Sequence, residues 1–375
     1  MWVHLLSYPL YYVEENLMPM ESKHHTSKQK MAPMLDISDL TIGYSGGKVV
    51  APNLNATLER GNLVCLLGAN GTGKSTLIRT LCGFQPALSG SVTIGGREVA
   101  TLNAHDLAKE LSVVLTDRLS VPNATVEELV GYGRSPYTGF LGRMSKEDRA
   151  MVAEAMECCQ IAHKRKELLN NLSDGERQKA VIAKAMAQDT PLIVLDEPTA
   201  FLDLPTRVEI MQLLRTLASK SQKSILMSTH DMELALQMAD KLWILHRNGP
   251  LDVGSPEDLL LLGVFNNLFG QTNVQFDVRT GLFKVAYEYH ATLPVAGHGF
   301  HFTLLRRAFA RRGIKLEHSA NRDSFWLQIA TNAEMPYTLF FEEVPVSHHK
   351  SIDELVDKVE QYQAKWKLGG VIAGS

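Results

Sequence analysis

Leu63-Val64-Cys65-Leu66-Leu67-Gly68-Ala69-Asn70-Gly71-Thr72-Gly73-Lys74-Ser75-Thr76 is the stretch on which the reading of this chain turns. The first five residues are a short apolar run, the pattern of a buried strand, and Thr76-Leu77-Ile78-Arg79-Thr80-Leu81 continues as the first turns of a helix. Between them Gly68, Gly73, Lys74 and Ser75 fill the G-x-x-x-x-G-K-[ST] spacing. Glycines there let the loop amides of Ala69 to Thr76 turn inward on a polyphosphate at a helix N-terminus, where the dipole favours negative charge. Lys74 would reach the β- and γ-phosphates and the Ser75 hydroxyl would hold Mg²⁺. A chance glycine-rich turn is the plain alternative, and the strand before and helix after argue against it.

A phosphate loop alone says only that a nucleotide binds. Leu192-Ile193-Val194-Leu195-Asp196-Glu197 is a second apolar strand, ending in two carboxylates. Successive strand residues face opposite ways, so the two acids can take different roles in one site. Asp196 is placed to hold the Mg²⁺ shell and Glu197 to polarise an attacking water. Between loop and carboxylates lies Leu172-Ser173-Asp174-Gly175-Glu176-Arg177-Gln178. The Ser173 and Gly175 amides at a helix start make a second anion site, although Ser173 followed by Glu176 also reads as a capping box.

That segment resembles the L-S-G-G-[QE] signature of ATP-binding cassette (ABC) proteins, with Asp174 in place of the first glycine, and the resemblance covers roughly residues 34–262. It implies an α/β fold: a P-loop NTPase cassette with a RecA-like core, an antiparallel β region and a helical insert. It also implies ATP and Mg²⁺ as cofactors. Tyr44 matches the aromatic that stacks on adenine, Ala200-Phe201-Leu202-Asp203 resembles the D-loop, and His230 after Ser228-Thr229 resembles the switch histidine. Lys74, Glu197 and His230 become the catalytic set. Ser173, Asp174, Gly175, Glu176 and Asp203 become nucleotide contacts. One position departs from the pattern: Thr116, in Val114-Leu115-Thr116-Asp117, stands where the family has a glutamine that touches Mg²⁺. A threonine hydroxyl can still coordinate the ion or its water, with shorter reach.

Val126-Glu127-Glu128-Leu129-Val130-Gly131-Tyr132-Gly133-Arg134-Ser135-Pro136-Tyr137, continued by Thr138 to Arg143 and Glu147-Asp148, resembles importer ATPases for ferric siderophores, haem and cobalamin. It lies in a helix-rich insert at about 117–172, the part that in the family faces the membrane subunit. Ser145 with Asp148 caps a helix there, whose Met151, Ala155, Cys158 and Cys159 recur at helical spacing.

At 375 residues the chain has room for two domains, and 45% hydrophobic with 21% charged residues describes an ordinary globular composition. A net charge of −3 gives no reason to expect nucleic acid as a partner. Cys65, Cys82, Cys158 and Cys159 lack metal-ligand spacing and suggest reduced thiols. No apolar run is long enough to cross a bilayer, so transport would need separate integral-membrane permease subunits. Residues 1–33 hold an apolar start broken by Pro9 and followed by Glu14-Glu15, then a polar stretch; they read as a disordered leader or a mis-assigned start, with Met31 or Met34 as real beginnings. The cassette then spans 34–270.

Residues 271–375 read as a small accessory α+β domain of unknown role. Leu282 to Tyr289 alternates, Phe302, Leu305 and Phe309 recur at helical spacing ahead of Gly313, and Phe325, Leu327 and Ile329 alternate again. Thr338 to Val344 suggests one more strand, and Ser351 with Glu354 caps a last helix. The histidine pairs His298/His301 and His348/His349 lack a supporting cysteine or carboxylate cluster, and Arg306, Arg307, Arg311 and Arg312 read as a solvated helix face.

With one phosphate loop and one signature per chain, a working engine needs a second copy of the chain, each nucleotide lying between the loop of one copy and Ser173–Gly175 of the other. The expected protein is a peripheral ATPase on the cytoplasmic face of the inner membrane, acting on its permease and indirectly with a substrate-binding protein. An exporter or non-transport cassette ATPase, or a nucleotide-dependent regulator, are the alternatives.

Overall fold

The computed structural model describes residues 32–44, 46–116, 123–139, 142–267, 274–277, 282–320, 324–330 and 333–369. The leader expected at 1–33 thus lies outside the described residues, apart from its last two.

The central sheet has the order β10-β9-β3-β8-β7-β6. Its strands are β3 (Leu63–Leu67), β6 (Leu111–Val114), β7 (Leu192–Leu195), β8 (Ser224–Ser228), β9 (Lys241–Leu245) and β10 (Leu251–Gly254). All neighbours are parallel except the edge pair β9 and β10. Every residue of β3, β7 and β8 is buried, as expected of parallel strands covered on both faces. Strand alternation divides β3 between two cores: Leu63, Cys65 and Leu67 face one, Val64 and Leu66 the other.

The second of those cores lies against an antiparallel sheet of order β2-β1-β4-β5, built from β1 (Leu35–Tyr44), β2 (Lys48–Leu58), β4 (Ser89–Ile94) and β5 (Arg97–Glu98). Gly95 and Gly96 turn β4 into β5 with φ 57° and 81°, the left-handed pair that a two-residue hairpin needs. Helix α1 (Lys74–Leu81) follows β3, and α2 (Ala104–Glu110) precedes β6.

The first core extends into the helical insert. Helices α3 (Val126–Gly131) and α4 (Lys146–Cys158) start at full capping boxes, Thr125 with Glu128 and Ser145 with Asp148. Both pack on α5 (Asp174–Ala187), the helix that begins at the signature. Arg134 pins this insert: buried, it donates Nε to Asp148 Oδ1 (2.9 Å) and Nη1 to the Ala187 carbonyl at the end of α5 (2.9 Å). Helices α6 (Leu204–Ser221), α7 (Met232–Met238) and α8 (Pro256–Leu261) complete the cassette.

Beyond it, β11 (Val274–Asp277) and β12 (Leu282–Val285) form a two-stranded ribbon. The regular strand expected to Tyr289 ends at Val285; Tyr287 and Tyr289 are exposed, with no strand partner given among the described residues. A five-stranded sheet follows, order β14-β13-β15-β16-β17. It consists of β13 (Ala291–Ala296), β14 (Ile314–His318), β15 (Phe325–Ile329), β16 (Tyr337–Phe341) and β17 (Val344–His349), with helices α9 (Phe300–Ala310) and α10 (Ile352–Gly369). The single strand expected over 338–344 is instead two, turning at Glu342-Glu343 with Glu342 at φ 55°. Leu305, Phe309, Leu327, Leu339, Leu355 and Val359 centre a third core that shares no residue with the other two.

Candidate active site

Beyond β3 the backbone turns through three glycines at positive φ: Gly68 (156°), Gly71 (77°) and Gly73 (107°). Space as well as dihedral demands glycine at two of them. A Cβ on Gly68 would lie 2.6 Å from the Leu245 carbonyl oxygen, and one on Gly73 would lie 2.4 Å from Val50 Cγ1. Thr72 closes the loop by donating Oγ1 to the Ala69 carbonyl (3.0 Å). Lys74 is buried, its Nζ donating to the carbonyls of Gly68 (2.8 Å) and Ala69 (3.3 Å). Burial lowers the Lys74 pKa, and the nearby charges of Glu197 and then Asp196 oppose that shift. Asn70, Gly71 and Ser75 are exposed, while Thr76 is buried and shares a 3.3 Å hydrogen bond with the hydroxyl of the exposed Tyr44.

Asp196 and Glu197 leave the end of β7 with their positions fixed by neighbouring strand ends. Asp196 N donates to the Val114 carbonyl at the end of β6 (2.8 Å), and its Oδ1 accepts from Ser228 Oγ (2.6 Å). The same Ser228 oxygen accepts from Glu197 N (2.9 Å). Glu197 adopts a left-handed backbone (φ 50°), a strained choice for a non-glycine residue, and its carboxylate meets His230 Nε2 at 2.7 Å. Thr116 Oγ1 donates to the Asp196 carbonyl (2.8 Å), bringing the departing position to the carboxylate strand. A cleft of about 750 Å³ joins Gly68, Ala69 and Asn70 to Glu197, Thr229 and His230.

Ser173 caps α5 by accepting from Glu176 N (3.2 Å), and Glu176 returns the bond to Ser173 N (2.9 Å). The capping reading and the anion-site reading therefore share one structure. The Ser173 amide, then Lys164, hold the Glu176 carboxyl below its usual value. Asp174 stands exposed in the first turn, and Gly175 packs against α6, where a Cβ would lie 2.5 Å from Thr206 Cγ2. Asp203 caps α6 by accepting from Thr206 N (3.2 Å). Ser173, Gly175, Glu176 and Asp203 line no part of the 750 Å³ cleft, whereas Asp174 shares a smaller one with Thr116, Asp196 and Glu197.

Two participants escaped the sequence reading. Ser228 orders both carboxylate residues, and its only sequence signal was its place at a strand end before His230. Thr206 backs the signature glycine from another helix, which no local pattern announces. Burial pushes the Cys65 and Cys82 thiols up to about 12, which keeps them protonated at neutral pH. For Mg²⁺, the hydroxyl of Ser75 and the carboxylate of Asp196 are the hard oxygen donors that suit the ion.

The family profile described as ABC transporter matches residues 51–200. An uncharacterized ABC transporter ATP-binding protein of Methanocaldococcus jannaschii is 36% identical over 252 residues, covering 67% of this chain and 87% of that protein. The iron(3+)-hydroxamate import ATP-binding protein of Bacillus subtilis is 33% identical, over 63% of this chain and 87% of its own length. The ferric enterobactin transport ATP-binding protein of Escherichia coli is 31% identical, over 62% and 85%. Among solved structures, an inward-facing ABC transporter of metal-chelate type is similar with a TM-score of 0.56 and 26% identity, over 64% of this chain and 89% of that one. A dimeric ATP-binding cassette in a post-hydrolysis state, bound to ADP and Pi, gives 0.52 and 26%, over 60% and 99%.

Proposed function

This chain belongs to the family of ABC transporter ATP-binding proteins, and from that premise we propose that it is the ATP-hydrolysing subunit of an importer that moves an iron chelate or cobalamin through a partner permease. The observation that carries the ATPase part is the meeting of the phosphate loop, Glu197 and His230 around one cleft. The cargo reading rests on the relatives named for iron-hydroxamate and enterobactin transport, together with the likeness of residues 126–148.

In this reading the loop amides and Lys74 hold the triphosphate, and Tyr44 stacks on the adenine. Ser75 and Asp196 would hold Mg²⁺, with the Thr116 hydroxyl beside them; when bound, the ion supplies charge neutralisation at the β- and γ-phosphate oxygens. Glu197 orients and deprotonates the attacking water, and His230, bonded to it, keeps that carboxylate aimed. A second copy completes the site with its own Ser173–Gly175 helix start, so ATP binding closes two copies and hydrolysis releases them. Closure is passed to the permease through the helical insert. A groove of about 730 Å³, lined by Phe84, Leu107 and Val113 together with Gln85, Glu98 and Gln188, offers the permease a docking surface in this reading. The protein then sits on the cytoplasmic face of the membrane, with a substrate-binding protein acting on the far side.

The test is to purify the tagged chain with its membrane partners, reconstitute the assembly and measure ATP-driven uptake of siderophores, haem and cobalamin. Uptake of one of them, abolished by Glu197→Gln, supports the reading. A chain that hydrolyses ATP but brings down no membrane protein, and whose activity none of the cargoes alters, belongs to a non-transport system instead.

A further inference from the structure

The accessory sheet gathers histidines at one end. β13 runs parallel to β14, with Val295 opposite His318, and beyond β13 the chain passes through Gly297-His298-Gly299 into α9. Gly297 lets this turn hug the end of β15, since a Cβ there would lie 2.6 Å from Ile329 Cβ, and Gly299 takes φ 88°. The turn delivers the His298 ring to within 4.6 Å of the His318 ring, centroid to centroid. Phe302 stacks on His318 at 4.2 Å, which fixes the orientation of that ring. Both imidazoles are exposed, so each can be reached from solvent.

We propose that His298 and His318 form a surface site for one divalent transition metal ion of the Zn²⁺, Ni²⁺ or Cu²⁺ class. Two imidazoles bound side by side to one ion at about 2.0–2.1 Å place their centroids roughly 4.5 Å apart at a right angle and roughly 5.2 Å apart at a tetrahedral one, and the observed 4.6 Å lies at the right-angled end of that span. Imidazole nitrogen is the ligand these ions favour over Mg²⁺ or Ca²⁺. Among the described residues no group of three or more His, Cys, Asp or Glu side chains could hold an ion, so the proposed site is one of two protein ligands. His301, one residue into α9, is engaged elsewhere: its Nδ1 bonds the Tyr337 hydroxyl at 2.7 Å. The site is independent of the transport reading, because none of its residues belongs to the cassette.

The experiment is Zn²⁺ titration of the full-length protein by calorimetry in excess Mg²⁺, paired with Cu²⁺ electron paramagnetic resonance. The wild type should show a saturable site with two imidazole nitrogens on Cu²⁺. His298→Ala and His318→Ala should each weaken that site by at least about tenfold, the low end of what loss of even a supporting residue costs a metal site. Each should leave one nitrogen on Cu²⁺ and unchanged thermal melting. His301→Ala, His348→Ala and His349→Ala should leave the site intact. Absence of a saturable site in the wild type overturns the proposal. So does a site that survives the His298→Ala/His318→Ala double variant, or one lost on replacing His348 or His349.

Discussion

At Gly175 the signature helix touches α6 so closely that a methyl group would lie 2.5 Å from Thr206 Cγ2. Its backbone is helical and not at positive φ, so the demand for glycine here is one of space alone. Gly175→Ala should therefore cost about 1–3 kcal/mol through overpacking and lower ATP hydrolysis with it. Thr206→Ser, which deletes the offending methyl and keeps the amide that caps on Asp203, should restore most of both in the double variant. Melting curves and phosphate release on the four proteins decide it, and a double variant no better than Gly175→Ala would mean that the glycine serves the nucleotide directly. The local structure of Gly68 to Thr76, of the Asp196-Glu197 strand end and of the Ser173 cap was readable because each motif is contiguous and its backbone path follows from local residue types. Ser228 and Thr206 were not, since they reach the site across 32 and 31 residues of chain from Asp196 and Gly175 respectively, through contacts made only on folding.

Among the elements, the helical insert depends on one buried ion pair. Arg134 and Asp148 side chains are 10% and 9% exposed, and Arg134 also ties the insert to the C-terminal end of α5. Removing one partner strands the other charge, so Asp148→Ala should cost about 3–5 kcal/mol. The Ser145 amide first, and Arg134 next, hold the Asp148 carboxyl below its ordinary value. A lowered carboxylate contributes stability in full above its unfolded pKa of about 3.9 and loses it as pH falls through the folded value. The gap between wild type and Asp148→Ala should thus be constant from neutral pH down to about 5 and narrow in acid. Urea unfolding across that range measures it, and a gap that widens toward acid would contradict the assignment. Capping boxes at Ser145 and Ser173 announced α4 and α5 from sequence, but the Arg134 pin did not show, because half of it lies at Ala187. The accessory hairpin is silent in the sequence for a related reason: Glu342-Glu343 turns the chain without the glycine or asparagine that usually signals a left-handed turn residue.

For the whole molecule, the C-terminal core shares no residue with the two cores of the cassette, and we infer from this that the accessory unit and the cassette fold on their own. A chain truncated near residue 270 should stay soluble and bind ATP; an insoluble product, or one that cannot bind nucleotide, would place the tail within the cassette's own core. In the proposed function this fold is one half of a two-copy ATP engine whose water is activated by Glu197. Glu197→Gln keeps the shape of the side chain and its hydrogen bonding to His230 while removing the base. Size-exclusion chromatography of this variant with Mg-ATP, beside a phosphate-release assay, separates binding and dimer closure from hydrolysis. Glu197→Gln should bind nucleotide at wild-type affinity, hydrolyse it a hundredfold or more slower, about 2.7 kcal/mol in the barrier, and stay dimeric while ATP is present. Hydrolysis by the variant at the wild-type rate would contradict that role of Glu197.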